Sequence, residues 1–156
     1  MTGKIGIFGG TFDPVHNGHL LKAEEALALL ALDRVIFMVA GDPWMKREAG
    51  QDVTPAQHRL RMVELAVAHF PAFSSDDREV LRKGPTYTVD SLEELAAENE
   101  RADLFLLLGS DALASMDRWR NPGRVLDLAR VVVLDRPITD EGEGPGAARG
   151  AAVGAA

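Results

Sequence analysis

One stretch near the amino end gathers residues that can do chemistry: Gly9-Gly10-Thr11-Phe12-Asp13-Pro14-Val15-His16-Asn17-Gly18-His19. Two glycines let backbone amides approach a ligand closely. His16 and His19 are three residues apart, so on a helix both leave the same face of one turn. A helix starting here adds unpaired N–H groups and the positive end of its dipole. Glycine amides, a dipole and two imidazoles able to donate hydrogen bonds are together suited to phosphate oxygens.

Other chemistries fit less of this stretch. The chain contains no GxxxxGK[ST], and its early glycines, at 3, 6, 9, 10 and 18, never form GxGxxG, so it has neither a P-loop nor a dinucleotide fingerprint. Zinc held by the two histidines with Asp13 is one alternative, but catalytic zinc generally takes three protein ligands and no firm third is in view. A polar helix cap without a ligand is another. No residue is assigned to a metal.

The elements that must carry this loop follow from hydrophobic periodicity. Lys4–Phe8 is a compact β-like run ended by Gly9-Gly10, and His19–Leu32 is a helix, apolar on most sides and therefore expected to be well buried. Arg34–Val39 is a second strand, closed by Gly41-Asp42-Pro43. Thr54-Pro55-Ala56-Gln57 reads as a capping box opening a helix whose Leu60, Val63, Val67 and Phe70 share a face. Ser74–Val80 is a weak third strand and Thr88–Glu98 a helix facing inward through Val89, Leu92 and Leu95. Asp103–Leu108 is the clearest buried strand. Ser110–Ser115 and Pro122–Ala129 are short helices, and Arg130–Asp135 is the last strand. Strand and helix alternate about five times, which predicts an α/β fold: a Rossmann-like parallel sheet of about five strands with helices on both faces.

Composition sets the boundaries. A chain of 156 residues is one domain of ordinary size, able to bury roughly 68–70% of its unfolded surface. With 17 Lys and Arg against 24 Asp and Glu, the net charge is −7, which argues against binding nucleic acid or an anionic membrane through bulk charge. An anionic ligand needs a local site that defeats this repulsion. There is no cysteine, hence no thiol nucleophile and no disulfide framework. No basic-then-apolar leader opens the sequence and no apolar run approaches the ~20 residues of a membrane span, so a cytoplasmic location is expected. The domain is expected to occupy residues 1–139, the last strand closing near Pro137. Of the seventeen residues from Asp140 to Ala156, eleven are Gly or Ala, a composition that buries too little to offset its ordering entropy and predicts disorder for 140–156.

GTFDPVHNGH resembles the GxFDPxHxGH signature of the HxGH nucleotidyltransferase superfamily, and within it the chain resembles the bacterial nicotinate-nucleotide adenylyltransferase family. Further matches follow in that family's order: Gly41-Asp42-Pro43-Trp44-Met45-Lys46, Gln57-His58-Arg59, Gly84-Pro85-Thr86-Tyr87-Thr88, Gly109-Ser110-Asp111-Ala112-Leu113, Trp119 and Arg136-Pro137. The resemblance covers roughly residues 1–137. It implies adenylyl transfer from ATP to nicotinate mononucleotide, with Mg²⁺ carried mainly by the ATP phosphates. The runner-up readings are another acceptor, nicotinamide mononucleotide or phosphopantetheine, and a nucleotide-binding protein without turnover. Neither nucleic acid nor membrane is an implied partner, and no oligomeric state is implied.

Residue by residue, the resemblance assigns His16, His19 and Lys46 to the phosphates and the transition state. It assigns Gly9, Gly10, Thr11, Phe12, Gly109 and Asp111 to ATP, and Thr86, Tyr87 and Trp119 to nicotinate mononucleotide. Trp119 matches the aromatic that stacks on the pyridine ring, its plain alternative being a core tryptophan. Asp111 has the alternative of capping the 110–115 helix. Trp44 reads as structural or loop-lining, and His58 and His69 as surface or cap residues. The family also continues to an ISSTxxR motif that helps bind ATP, and no such motif is present. A truncated or frame-shifted product, a diverged protein closing its site another way, and a relic with weak turnover are the three explanations this departure leaves open.

Overall fold

The computed structural model describes residues 3–134 and 150–153. Strand β1 (Gly3–Gly10) runs into helix α1 (Asn17–Leu29), strand β2 (Arg34–Val39), the short helix α2 (Trp44–Glu48) and helix α3 (Ala56–Val67). Strand β3 (Phe73–Asp76), the helical turn α4 (Arg78–Leu81), helix α5 (Thr88–Glu98) and strand β4 (Ala102–Leu108) follow. The short helix α6 (Ser110–Ala114), a 3-10 turn (Met116–Arg118), helix α7 (Pro122–Leu128) and strands β5 (Arg130–Leu134) and β6 (Gly150–Val153) complete it.

The sheet order is β3-β2-β1-β4-β5-β6, and β1 to β5 are all parallel. β1 lies between β2 and β4 and its side chains Ile5, Ile7 and Phe8 are buried. One face of the sheet packs Phe8, Phe37, Phe105 and Leu107 against Ala23, Ala26, Val63 and Val67 of α1 and α3. The other packs Ile7, Ile36, Leu104 and Leu106 against Val89, Leu92 and Leu95 of α5 and Val125 of α7. Side chains alternate across each strand, so near-continuous apolar runs such as Leu104–Leu108 serve both faces, as a parallel sheet covered by helices requires. The Rossmann-like expectation holds.

Three local expectations do not. The first helix is buried only through Ala23 and Ala26, while Leu21 and Leu29 are exposed. A helix apolar all round has little directional preference, and the alanine stripe permits the closest approach to the sheet. The strand expected over Ser74–Val80 ends at Asp76, because Asp76 accepts from the backbone N–H and the guanidinium of Arg78 and turns the chain into α4. Thr54 does not cap α3, whose N-cap is Pro55 without a side-chain bond. The Thr54 N–H instead donates to Asp13 at 2.8 Å. At the far edge of the sheet, Gly150–Val153 pairs antiparallel with Val131–Leu134. Strand pairing at a sheet edge consumes backbone groups and asks nothing of side-chain size. The expected boundary near Pro137 and the rest of 140–156 lie outside the described residues.

Candidate active site

In a sheet ordered this way, connections leave β1 toward β2 and β4 toward β5, opening a crevice beyond their carboxyl ends. The loop after β1, the Ala40–Pro43 turn after β2 and Gly109 after β4 all lie at that end.

His16 is the N-cap of α1, in extended conformation, and the two histidines form a reciprocal box. His16 Nδ1 accepts the Gly18 N–H at 3.1 Å, and His19 Nδ1 accepts the His16 N–H at 3.0 Å. A ring whose Nδ1 accepts a backbone proton carries its own proton on Nε2. Each imidazole is therefore a neutral ring with its Nε2–H as the remaining donor. The rings stack with centroids 3.8 Å apart. Burial first, and then the neighbouring His16 and Lys22, push the His19 pKa down to about 4, so this ring remains neutral at physiological pH. Gly18 is sterically required: a Cβ there would stand 2.9 Å from His16 Cε1 and 3.0 Å from its Nδ1.

Phe12 occupies a different role from the one its loop position suggested. Its φ is +52°, and its side chain is turned into the core, 3% exposed, against Phe8, Phe37 and the edge of His19. The ring thus supports His19, and only its backbone is left for a ligand.

Arg59 was not singled out from sequence as a site residue, yet it holds the loop. It is 1% exposed and donates to four carbonyls: Thr54 at 2.6 Å, Thr11 at 2.9 Å, Ala40 at 2.6 Å and Gly41 at 3.2 Å. These belong to the loop after β1, the end of β2 and the approach to α3. None of the bonds goes to a carboxylate, and burial lowers the Arg59 pKa against the attraction of Asp13. A cation held by carbonyls beside the glycine loop contributes positive potential in an acidic protein. Its partners are scattered through the sequence, so the Gln57-His58-Arg59 match was the only signal available.

Next to the loop lies a cavity of about 230 Å³ whose walls include Gly9, Gly10, Thr11, Trp44, Lys46, Thr86, Tyr87, Trp119 and Arg120. The structure thus brings the residues assigned to the acceptor together with Lys46 and three of the loop residues. Its wall is mostly apolar, and Lys46 and Arg120 are its two exposed cations. Thr86 is tied to the β2 turn, its Oγ1 accepting the Asp42 N–H at 3.1 Å and its own N–H donating to Asp42 O at 3.4 Å. The Arg120 guanidinium lies 4.7 Å from the Tyr87 ring centroid, a cation–π distance. Trp119 is half-buried, packed on the core and lining the cavity at once, so both readings of it apply. Trp44 lines it, 6.1 Å from Tyr87 between centroids.

His16, His19, Gly109 and Asp111 stand outside these walls. Gly109 is the N-cap of α6 and Asp111 is exposed in its first turn, where its side chain makes no capping bond. His58 and His69 are exposed. Among the described residues, no three His, Asp or Glu side chains converge on a metal position, and no helix is long and apolar enough to cross a membrane.

Comparison with known proteins bears on this arrangement. A family model described as cytidylyltransferase-like matches residues 7–147. The chain is 45% identical over 134 residues to the probable nicotinate-nucleotide adenylyltransferase of Corynebacterium kroppenstedtii, covering 86% of this chain and 63% of that protein. It is 47% identical over 133 residues to the protein of the same name from Roseiflexus sp., covering 85% and 65%. The chain therefore spans somewhat under two thirds of the length of these relatives. Among solved structures, the Plasmodium falciparum nicotinic acid mononucleotide adenylyltransferase complexed with NaAD superposes with a TM-score of 0.73 at 17% identity, over 88% of this chain and 67% of that one. The same enzyme complexed with APC gives 0.68 at 16%, over 88% and 66%. These structural likenesses establish the fold.

Proposed function

The chain belongs to the cytidylyltransferase-like family, and from that premise we propose that it transfers the adenylyl group of MgATP to nicotinate mononucleotide. A phosphate oxygen of the mononucleotide attacks the α-phosphorus, the bond from that phosphorus to the bridging oxygen breaks, and pyrophosphate departs with the electron pair. The products are nicotinate adenine dinucleotide and pyrophosphate. The attacking phosphate is already ionised at neutral pH, so the reaction needs alignment and charge stabilisation rather than a side-chain nucleophile.

The observation that carries this reading is the histidine pair. Two neutral imidazoles, each fixed through Nδ1, offer Nε2–H donors beside a glycine loop at a helix amino end. A neutral donor can strengthen its bond as charge develops on phosphate oxygens, without a proton leaving the ring. Lys46 adds a mobile point charge from α2, and Arg59 keeps the loop in place from beneath. The acceptor's aromatic ring suits the cavity bounded by Trp119, Tyr87 and Trp44, and its anionic groups suit Lys46 and Arg120. The position of Trp119 in the cavity wall supports an aromatic ring on the acceptor, and the resemblance of the 84–88 segment to the family's acceptor loop points to nicotinate. Gly109 and Asp111, at the head of α6, suit the adenosine side. Mg²⁺ enters as part of the nucleotide substrate, neutralising its phosphates; the described side chains do not form a cage for it.

The test is pyrophosphate release with MgATP and each of three acceptors: nicotinate mononucleotide, nicotinamide mononucleotide and phosphopantetheine. Release that depends on nicotinate mononucleotide is expected. Release with another acceptor alone would reassign the substrate, and silence with all three in a folded, ATP-binding protein would leave a nucleotide-binding module.

A further inference from the structure

Glu79 is 6% exposed and lies outside the phosphate chemistry, yet it lines the same cavity. It sits on α4, before the segment Arg82–Tyr87 that carries Thr86 and Tyr87. Its carboxylate accepts the hydroxyl of Ser91, which is 2% exposed in α5, just after that segment. Ser91 Oγ in turn accepts from Arg82 Nη1 at 3.1 Å, and Arg82 Nη2 reaches Glu94 at 3.0 Å. The two ends of the segment are thus buckled together by a chain of bonds running from the half-buried Arg82 to the buried Ser91 and Glu79. Its middle is held separately by the paired bonds between Thr86 and Asp42. α4 is itself seated on the β2 turn, since a Cβ at Gly41 would stand 2.0 Å from the Glu79 carbonyl oxygen. Gly84, with φ +87°, gives the segment its bend.

Nothing in the adenylyl-transfer step calls for a buried carboxylate here. Burying one is unfavourable unless it is fully bonded, and this one closes the loop that forms a cavity wall. We propose that Glu79, acting through Ser91 and Arg82, is a positioning residue that holds the Gly84–Thr88 segment in the shape of the acceptor side. The inference rests on the proposed function only for the identity of the acceptor; the holding of the segment does not depend on it.

The charge of the group bears on the same point. Burial pushes the Glu79 pKa up to about 7, opposed by the Ser91 bond and by Arg82 and Arg78, and reinforced by Asp76. Asp76 on β3 pairs with Arg78, Glu94 and Glu98 on α5 engage Arg78 and Arg82, and Asp42 on the β2 turn pairs with Arg47. Ionisation above pH 7 adds a negative charge, only partly offset by Arg82 and Arg78, to the wall of a cavity that takes an anion, so acceptor binding weakens there.

The experiment uses the whole chain in four forms: wild type, Glu79→Gln, Glu79→Ala and Ser91→Ala. Amide hydrogen exchange of the ligand-free proteins is read first. Residues 83–88 should exchange about tenfold faster or more in Ser91→Ala and Glu79→Ala, while β1 and β4 keep their protection and Glu79→Gln stays near wild type. Nicotinate mononucleotide is then titrated against the fluorescence of Trp44 and Trp119. Its affinity should fall about tenfold in the two alanine variants and be retained in Glu79→Gln, with ATP affinity within twofold throughout. Between pH 6 and 8.5 the ratio of wild-type to Glu79→Gln affinity should fall several-fold, a ratio in which the ligand's own titration cancels. Unchanged exchange of 83–88 in Ser91→Ala would overturn the proposal, as would a flat ratio. Accelerated exchange in the two alanine variants, alongside a wild type that binds no nicotinate mononucleotide at any pH, would support the positioning role and refute the proposed acceptor instead. Should Glu79→Ala not fold, Ser91→Ala reads the same bond.

Discussion

Replacing Gly18 with alanine separates the geometry of the histidine pair from the stability of the fold. The added Cβ would stand 2.9 Å from His16 Cε1, at least ~0.5 Å inside ordinary contact between carbon atoms at about 3.5 Å or more. The ring cannot move freely away, because it is stacked on His19 at 3.8 Å and bonded through Nδ1 to the Gly18 N–H. Relief requires rotating the imidazole off that bond, which moves Nε2 and frees its tautomer. Losing the cap costs about 0.5–2 kcal/mol, while alanine in place of glycine within a helix gains roughly 0.5–1 kcal/mol. These largely offset, leaving at most about 1.5 kcal/mol, so thermal unfolding followed by circular dichroism should shift by no more than about 6 °C for a chain of this size. Turnover should not be spared. Misplacing a positioned group by about 1 Å removes on the order of 10²-fold in rate. We expect kcat for pyrophosphate release to fall about 10²-fold, with KM for the acceptor within threefold. A variant that turns over within threefold of wild type would refute the claim that His16 acts through this fixed ring.

Three further outcomes follow from the same structure. Arg59→Leu deprives four carbonyls of their buried donor and should lower the unfolding free energy by ~3 kcal/mol or more in urea titration, whereas a loss below 1 kcal/mol would show that the brace is dispensable. The His19 ring should titrate near pH 4 by NMR of its ring protons. Its folded state disfavours the charged form, so the associated stability is whole above 6.5 and drains away as pH falls from 6.5 toward 4; a midpoint at 6 or above would contradict the neutral donor. Glu79 runs the opposite way. Its folded state favours the proton, so stability declines as pH rises from 4.5 through 7. Glu79→Gln should therefore be the more stable protein at pH 8 by up to about 3 kcal/mol, and equal unfolding midpoints for the two across pH 5–8 would exclude a titrating carboxyl.

The parts of this molecule that could be read from sequence are those whose physics is local. The run DLFLLL declares a strand buried on both faces, and β4 is that strand. Thr88–Glu98 shows its inward face through Val89, Leu92 and Leu95, and α5 has those bounds and those buried residues. His16 and His19 met because three residues make one turn. What escaped depends on partners distant in the chain. Arg59 draws on carbonyls up to 48 residues away, and the Glu79–Ser91 bond spans 12. Phe12, an aromatic in a ligand loop, reads as a contact, and only its positive φ and the space between Phe8 and Phe37 send it inward. Thr54 has every local mark of a cap, but α3 begins one residue later, behind Pro55, and Asp13 takes the Thr54 N–H that Gln57 would have received in a capping box.

The role proposed for this histidine pair is to stabilise adenylyl transfer to a nicotinate mononucleotide acceptor. It is tested most directly by incubating wild type and His19→Ala with MgATP and nicotinate mononucleotide and weighing the products by mass spectrometry. Nicotinate adenine dinucleotide and pyrophosphate are expected in equal amounts from wild type, with the rate reduced on the order of 10²–10³-fold in the variant. Equal rates from the two proteins, or no dinucleotide from a wild type that binds both substrates, would contradict it.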